Sequence, residues 1–279
     1  MVTSPFSEGI RQTHLALAHK CMRQLWFYLY RGPKPPSYAM VNGTAGHASI
    51  EYGLRAKQVY GELPDMGTLL DVYTTRFSEE LETCDRGSSG RVDPAQLRDR
   101  MTGISGKAGA LPLFFEYEAP RIHPVFVEES FSVPIPGTKV PLIGTVDLLD
   151  NQGELSDYKF RSGKKGSATT REVNQDFQLQ VYRLGAELGK KTPVSRTSQI
   201  QIICNPEKSP AVIRMPQEPE EGSLSPESIL SEFRGLVRFV EKAKGDPELF
   251  PMTTPTNWWC SRDWCGYASM CPRYGGNHD

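Results

Sequence analysis

Residues 140–149 read VPLIGTVDLL and residues 154–160 read ELSDYKF, two runs that alternate enough between apolar and polar positions to predict strands. Asn151-Gln152-Gly153 between them supplies turn residues, so the pattern predicts a β-hairpin. With Gly153 left-handed in a three-residue loop, Asp150 pairs with Glu154 and, in the same register, Asp147 lies opposite Asp157. Upstream, residues 8–30 read as one helix with Leu15, Leu17, Leu25 and Tyr28 among its apolar positions, ending at Gly32 and the prolines 33, 35 and 36. Residues 44–60 read as a second helix, 65–118 as mostly helical around a Gly87-Ser-Ser-Gly90 loop, and 125–135 as a strand. Beyond the hairpin come a helix over 174–188 (NQDFQLQVYRLGAEL), a strand over 198–204 and a partner for it over 211–215. Ser225-Pro226 opens a last helix whose Ile229, Leu230, Phe233, Leu236, Val237 and Val240 form an apolar stripe for a core. The alternation of helices and strands places the chain in the mixed α/β class, without internal repeats.

The hairpin register carries a chemical consequence. Like charges directly opposite each other destabilise a hairpin, and on one face their Cβ atoms lie roughly 4.5–5.5 Å apart. Asp147 facing Asp157 therefore calls for solvent around them or a cation between them, and hard oxygen ligands indicate Mg2+ or Mn2+. Lys159, two residues past Asp157, shares its face roughly 6.6 Å along the strand, where an ammonium can steady a phosphate or orient a water. Taken singly, the two aspartates read as solvated strand ends and Lys159 as their ion partner. Arg161, Lys164, Lys165 and Arg171 follow in a Ser/Gly-rich loop, as cations for a polyanion or as a solvated charge run. Gln178 and Tyr182 are spaced i, i+4 and project from one face of the helix that follows.

Composition modifies this picture only slightly. With 32 basic against 33 acidic residues among 279, the chain lacks the overall basic charge common in nucleic-acid binders, so any such function must concentrate its cations locally. No apolar run is long enough to span a bilayer and MVTSPFSEGIRQ does not read as a secretion signal, so a cytoplasmic protein is expected, without a membrane partner.

Gly144-Thr-Val-Asp147, Asp157-Tyr-Lys159 and Gln178-x-x-x-Tyr182, in strand-strand-helix order, resemble the RecB-like branch of the PD-(D/E)XK nucleases. That branch includes CRISPR-associated exonucleases, the AddB nuclease domain and phage relatives. The resemblance covers about residues 10–275 and implies one nuclease domain over 1–279, with a mixed central sheet flanked by helices. Residues 1–118 would be its mainly helical part, 119–250 the nuclease core, and 251–279 a cysteine segment closing on Cys21. It implies that Asp147, Asp157 and the Tyr158 carbonyl bind the metal, joined by His47 of Gly43-Thr-Ala-Gly-His47. Lys159 would be the catalytic cation, with Gln178 and Tyr182 orienting substrate. The activity implied is a metal-dependent DNA exonuclease acting on single-stranded ends in recombination, repair or CRISPR adaptation, in a bacterium or a phage-infected host. Ring-shaped homo-oligomers and recombination or CRISPR proteins are the partners implied.

Six cysteines add a second signal, three of them crowded as Cys260-x4-Cys265-x5-Cys271. The same branch carries a 4Fe-4S cluster on one N-terminal and three C-terminal cysteines, which here implicates Cys21 with those three, although its first C-terminal gap is two residues rather than four. Thiolates select iron–sulfur or zinc, so zinc on the same four residues is the chemical alternative. Cys204, in SQIQIIC, reads as core, and Cys84 has no ligand neighbours in sequence. Trp258, Trp259 and Trp264 read as packing around the cluster, and Phe114, Phe115 and Tyr117 as core. Two other classes remain open: a non-catalytic module that binds DNA ends, and a four-cysteine zinc protein.

Overall fold

The computed structural model describes residues 5–84, 93–162, 167–205, 207, 209–218, 225–262 and 264–276. Its contacts group the chain into two units, Met1–Pro35 with Ser132–Gly144 and Leu224–Asp279, and Pro36–Phe131 with Thr145–Ser223.

The first unit contains α1 (Gln12–Lys20) and α2 (Met22–Arg31). The apolar positions of residues 8–30 run on as if through one helix, but the chain breaks at Cys21, whose backbone is extended at φ −168° and ψ 116°. Cys21 thus ends α1 and opens α2, and it is buried. α2 is tied down by polar contacts to the C-terminal segment. Trp26 Nε1 donates to the Gly245 carbonyl at 2.7 Å and Arg23 Nε to that of Phe250 at 3.0 Å.

The second unit opens with α3 (Tyr38–Tyr60), which begins earlier than expected because Ser37, just after two prolines, caps it and accepts from the Met40 amide. α4 (Met66–Glu82), capped by Asp65, packs along α3. α5 (Pro94–Thr102) follows, then α6 (Ala110–Leu113), which winds on through Phe114–Glu118. The strands are β1 (Pro124–Val133), β2 (Leu142–Asp150), β3 (Glu154–Arg161), β4 (Arg196–Ile203) and β5 (Ala211–Gln217), in that order across one five-stranded sheet. β2 and β3 are antiparallel, β3 and β4 parallel, β4 and β5 antiparallel. Between β3 and β4 lie α7 (Thr170–Asn174) and α8 (Phe177–Leu184), which split the single helix expected over 174–188. Asp176 causes that split: its Oδ1 accepts the Gln178 amide at 2.9 Å and starts α8 afresh.

The hairpin has the expected loop and register. Gly153 sits at φ +75°, and the Asp150 carboxylate accepts the amides of Gln152 and Glu154, each at 2.9 Å. Leu148 faces Ser156 and Leu149 faces Leu155, and one further step in that register sets Asp147 against Asp157. A core of Val41, Ile50, Leu54, Tyr73, Phe114, Tyr158 and Ile200 joins α3, α4 and α6 to the sheet. Phe114 and Phe115 are buried in it as expected, whereas Tyr117 is exposed on the outer side of the same turn. In the first unit, α9 (Pro226–Ala243) is capped by Ser225 and buries its whole predicted apolar stripe. No described helix is long and apolar enough to cross a membrane.

Candidate metal and active centre

α3, α4, β1, β2, β3 and α8 of the second unit surround one cavity of about 750 Å3. Its lining brings together His47, Asp147, Asp157, Lys159, Gln178 and Tyr182, six residues that the sequence pattern singles out. His47, more than two turns into α3, is held by helix geometry on the face turned to the sheet. Its ring packs edge-on to Tyr158 at 5.8 Å, and its Nδ1 lies 3.8 Å from Asp147 Oδ2. That same Asp147 oxygen accepts the Tyr158 amide at 3.0 Å, so β3 itself orients it.

Glu128 also enters the site, from β1, and the sequence reading missed it. Its Oε1 lies 3.1 Å from His47 Nδ1, and its backbone adopts φ +46°, the left-handed region that a non-glycine residue enters at a cost. In sequence, Glu128-Glu129 is only a polar pair in the strand PVFVEESFSV, and the turn that aims the first of them inward leaves no local signature. One ligand atom each from His47, Glu128 and Asp147 lies within 4.8 Å of the others. The set is hard, two carboxylates and an imidazole, and suits a divalent cation.

Asp157 is almost wholly buried, and Lys159 answers its charge. Lys159 Nζ lies 3.0 Å from Asp157 Oδ1 and 2.8 Å from Oδ2, and it donates to Gln178 Oε1 at 2.7 Å. Gln178 Nε2 in turn donates to the Tyr182 hydroxyl at 2.5 Å, which gives the i, i+4 pair its purpose. Asp157 Oδ2 is buried and, apart from its ion pair with Lys159, has no aligned hydrogen-bond donor, so it keeps lone-pair capacity that a cation could use.

The charges raise one another's proton affinity. Burial, then the nearby Asp157, push Asp147 up to about 8, while His47 opposes the shift. Burial also raises Asp157, against the pull of Lys159. Burial alone would lower His47, but the hydrogen bond it donates to Glu128 and the charges of Asp147, Glu128 and Asp157 outweigh it and raise the ring to about 9. Burial would likewise lower Lys159, yet Asp157 and Asp176 keep it above its ordinary value, an ammonium at neutral pH. Burial and the surrounding carboxylates raise Tyr182, which stays a phenol. A divalent cation bound among these groups would compete with their protons.

The expected cationic loop is only partly in view. Arg161 turns toward the sheet, with Nη2 3.3 Å from Gln199 Oε1, and Arg171 is exposed on α7. Lys164 and Lys165 lie outside the described residues.

In the first unit, Cys21, Cys260, Cys265 and Cys271 line one small, closely packed cavity with Gln24, Phe27, Met252, Tyr267, Arg273 and Tyr274. Hydrogen-bond donors already face the sulfurs: Gln24 Nε2 to Cys265 at 3.2 Å, the Thr253 amide to Cys21 at 3.4 Å and Arg273 Nη1 to Cys260 at 2.9 Å. The tryptophans do not provide the expected packing around it. Trp258 and Trp264 are exposed, Trp259 bonds the Lys20 carbonyl, and Phe27 stacked on Tyr267 closes the cavity wall instead. Of the other two cysteines, Cys204 is buried in the second unit beside Asn42, and Cys84 approaches the Pro36 carbonyl.

Residues 11–272 match the family model described as the PD-(D/E)XK nuclease superfamily. Among solved structures, the chain is similar to a candidate exonuclease from Eubacterium rectale, with a TM-score of 0.51 and 9% identity over 91% of this chain and 87% of that one. That likeness concerns the fold. A second structure, SSO0001, aligns at TM-score 0.32 and 13% identity over 91% of this chain and 95% of that one, too low to bear on the fold. No curated protein matches the chain.

Proposed function

Because the chain belongs to the PD-(D/E)XK nuclease superfamily, we propose that it is a RecB-like, divalent-metal-dependent DNA exonuclease acting on single-stranded ends. Its setting would be recombination, repair or CRISPR adaptation in a bacterial cytoplasm. The observation that carries the reading is the Lys159 ammonium, clamped between Asp157 and Gln178 beside the His47, Glu128 and Asp147 donor set in one open cavity. A site built only for structure would not hold three carboxylates, an imidazole and an ammonium around a space of substrate size.

His47, Glu128, Asp147 and Asp157, with the Tyr158 carbonyl, would hold Mg2+ or Mn2+. A divalent cation there supplies Lewis acidity that polarises a phosphodiester and eases the ionisation of an attacking water. Lys159 keeps its proton and faces the cavity, where it stabilises charge developing on the phosphate as water adds and the leaving oxygen departs. Gln178 fixes the ammonium in direction, and Tyr182 fixes Gln178.

The four thiols of the first unit are the proposed holders of a 4Fe-4S cluster. Among the described residues, His47, Glu128 and Asp147 form the one trio of His, Cys, Asp or Glu ligand atoms closing to within 4.8 Å. The four thiols of the first unit instead share one cavity, and thiolates suit an iron–sulfur cluster as they suit zinc.

Hydrolysis of single-stranded and duplex DNA with Mn2+ tests the enzyme reading through Asp157→Ala and Lys159→Ala. Each variant should lose at least about a hundredfold in kcat. Cleavage at the wild-type rate by either one refutes the mechanism, and binding without turnover by the wild type identifies a non-catalytic module.

A further inference from the structure

α4 contributes a single side chain to the lining of the active cavity, that of Arg76. The cavity is otherwise difficult for a polyanion to enter, since Glu51, Glu128, Asp147 and Asp157 all face it. Among the described residues the cations lining it are His47, Lys159 and Arg76. Two of these are committed within the site: His47 Nδ1 faces Glu128 and Asp147, and Lys159 faces Asp157 and Gln178.

Arg76 differs from both. Its partners are Glu79 at 3.6 Å and Glu80 at 2.6 Å, three and four residues along its own helix, and its side chain is 45% exposed. Exposed pairs at this spacing are weak and screened by salt, so the guanidinium can exchange them for a stronger ligand. A phosphodiester is such a ligand, because its two free oxygens match the planar donor fork of arginine. Glu51 offers little competition, since Arg55 Nε already binds it at 2.8 Å.

We propose that Arg76 is a substrate-binding residue that leaves Glu80 to hold a backbone phosphate of the DNA strand beside the phosphodiester being hydrolysed. The inference rests on the nuclease reading of the same cavity. It assigns backbone recognition to a helix far in sequence from the motif residues, and it makes the contact independent of base identity.

The test is binding of a fluorescent single-stranded oligonucleotide, read by anisotropy in EDTA over a range of salt concentrations, with Mn2+-dependent hydrolysis of the same oligonucleotide measured separately. Arg76→Gln should raise Kd and KM about fivefold or more, leave kcat within about twofold, and make the slope of log affinity against log salt shallower by about 0.7. Arg76→Lys should keep the slope while losing part of the affinity, and Glu80→Gln should bind as well as wild type or better. Unchanged Kd and slope in Arg76→Gln overturn the inference. So does a Glu80→Gln variant as impaired as Arg76→Gln, because the ion pair would then matter for structure alone. Absence of hydrolysis by the wild type overturns the nuclease reading instead, and the anisotropy measurement still decides whether Arg76 binds the strand.

Discussion

His47 Nδ1 and Glu128 Oε1 lie 3.1 Å apart, and the contact depends on a backbone that holds Glu128 at φ +46° within β1. A non-glycine residue in that region costs of order 1–3 kcal/mol, and such strain gathers where function needs an atom placed against local preference. Glu128→Gly removes both the strain and a carboxylate from a crowded anionic site. It should melt no lower than wild type while losing about 10–100-fold in Mn2+ affinity. Calorimetric titration with Mn2+ beside a thermal melt checks both halves. A variant that binds Mn2+ normally would remove Glu128 from the ligand set.

Gly46 faces Phe160 so closely that a Cβ built on it would sit 2.2 Å from two ring atoms. Phe160 follows Lys159 on β3, and the His47 ring packs on it at 5.4 Å. Gly46→Ala should therefore destabilise the protein by about 1–3 kcal/mol through overpacking. Adding Phe160→Leu should recover part of that loss, because the two sites are in contact and not additive. Urea denaturation of the two single variants and the double variant measures the coupling.

His14 should make stability depend on pH. Its Nδ1 accepts the Arg11 amide at 3.1 Å, and its ring lies 5.2 Å from Phe6 and 5.4 Å from Tyr28. Burial, then the charge of Arg11, lower it to about 4, against about 6.5 in an unfolded chain. The unfolded state thus takes up a proton between those values that the native state refuses. The associated stability is complete above pH 6.5 and lost as the pH falls toward 4, about 2 kcal/mol by pH 5. His14→Gln should flatten that part of the profile in urea denaturation at pH 7.5 and 5. An unchanged profile would mean that His14 does not titrate this way.

The cysteines divide into two groups by what surrounds them. Alanine at Cys21, Cys260, Cys265 or Cys271 should each abolish iron and labile sulfide in protein purified without oxygen, whereas Cys84→Ala and Cys204→Ala should retain both. A colourless wild type containing zinc and no iron would replace the cluster with zinc.

The readable parts of the chain were those in which near neighbours decide the conformation. Asn151-Gln152-Gly153 and the alternation on either side of it set loop length, and loop length set which aspartate faces which. The apolar stripe of α9 and its Ser225 cap were legible for the same reason. Cys21 was not: Leu17 and Leu25 continue one helical stripe across it, yet its backbone is extended and its thiol meets the Thr253 amide of the C-terminal segment. Asp176 looks like one more polar helix residue until its carboxylate is seen to cap α8.

The local order of residues along β2 and β3 thus determined that two carboxylates and an ammonium would share a face, and along α8 that Gln178 and Tyr182 would share one side of the helix, since strand alternation and helical spacing act over a few residues. The arrival of that side of α8, and of Glu128, His47 and Arg76, at the strand face was set by packing between segments apart in sequence. Burial completes the site as well, because removal from water, with Asp157 close by, raises Asp147 to about 8. Neither tertiary contact nor desolvation leaves a trace in the spacing of residues along a chain.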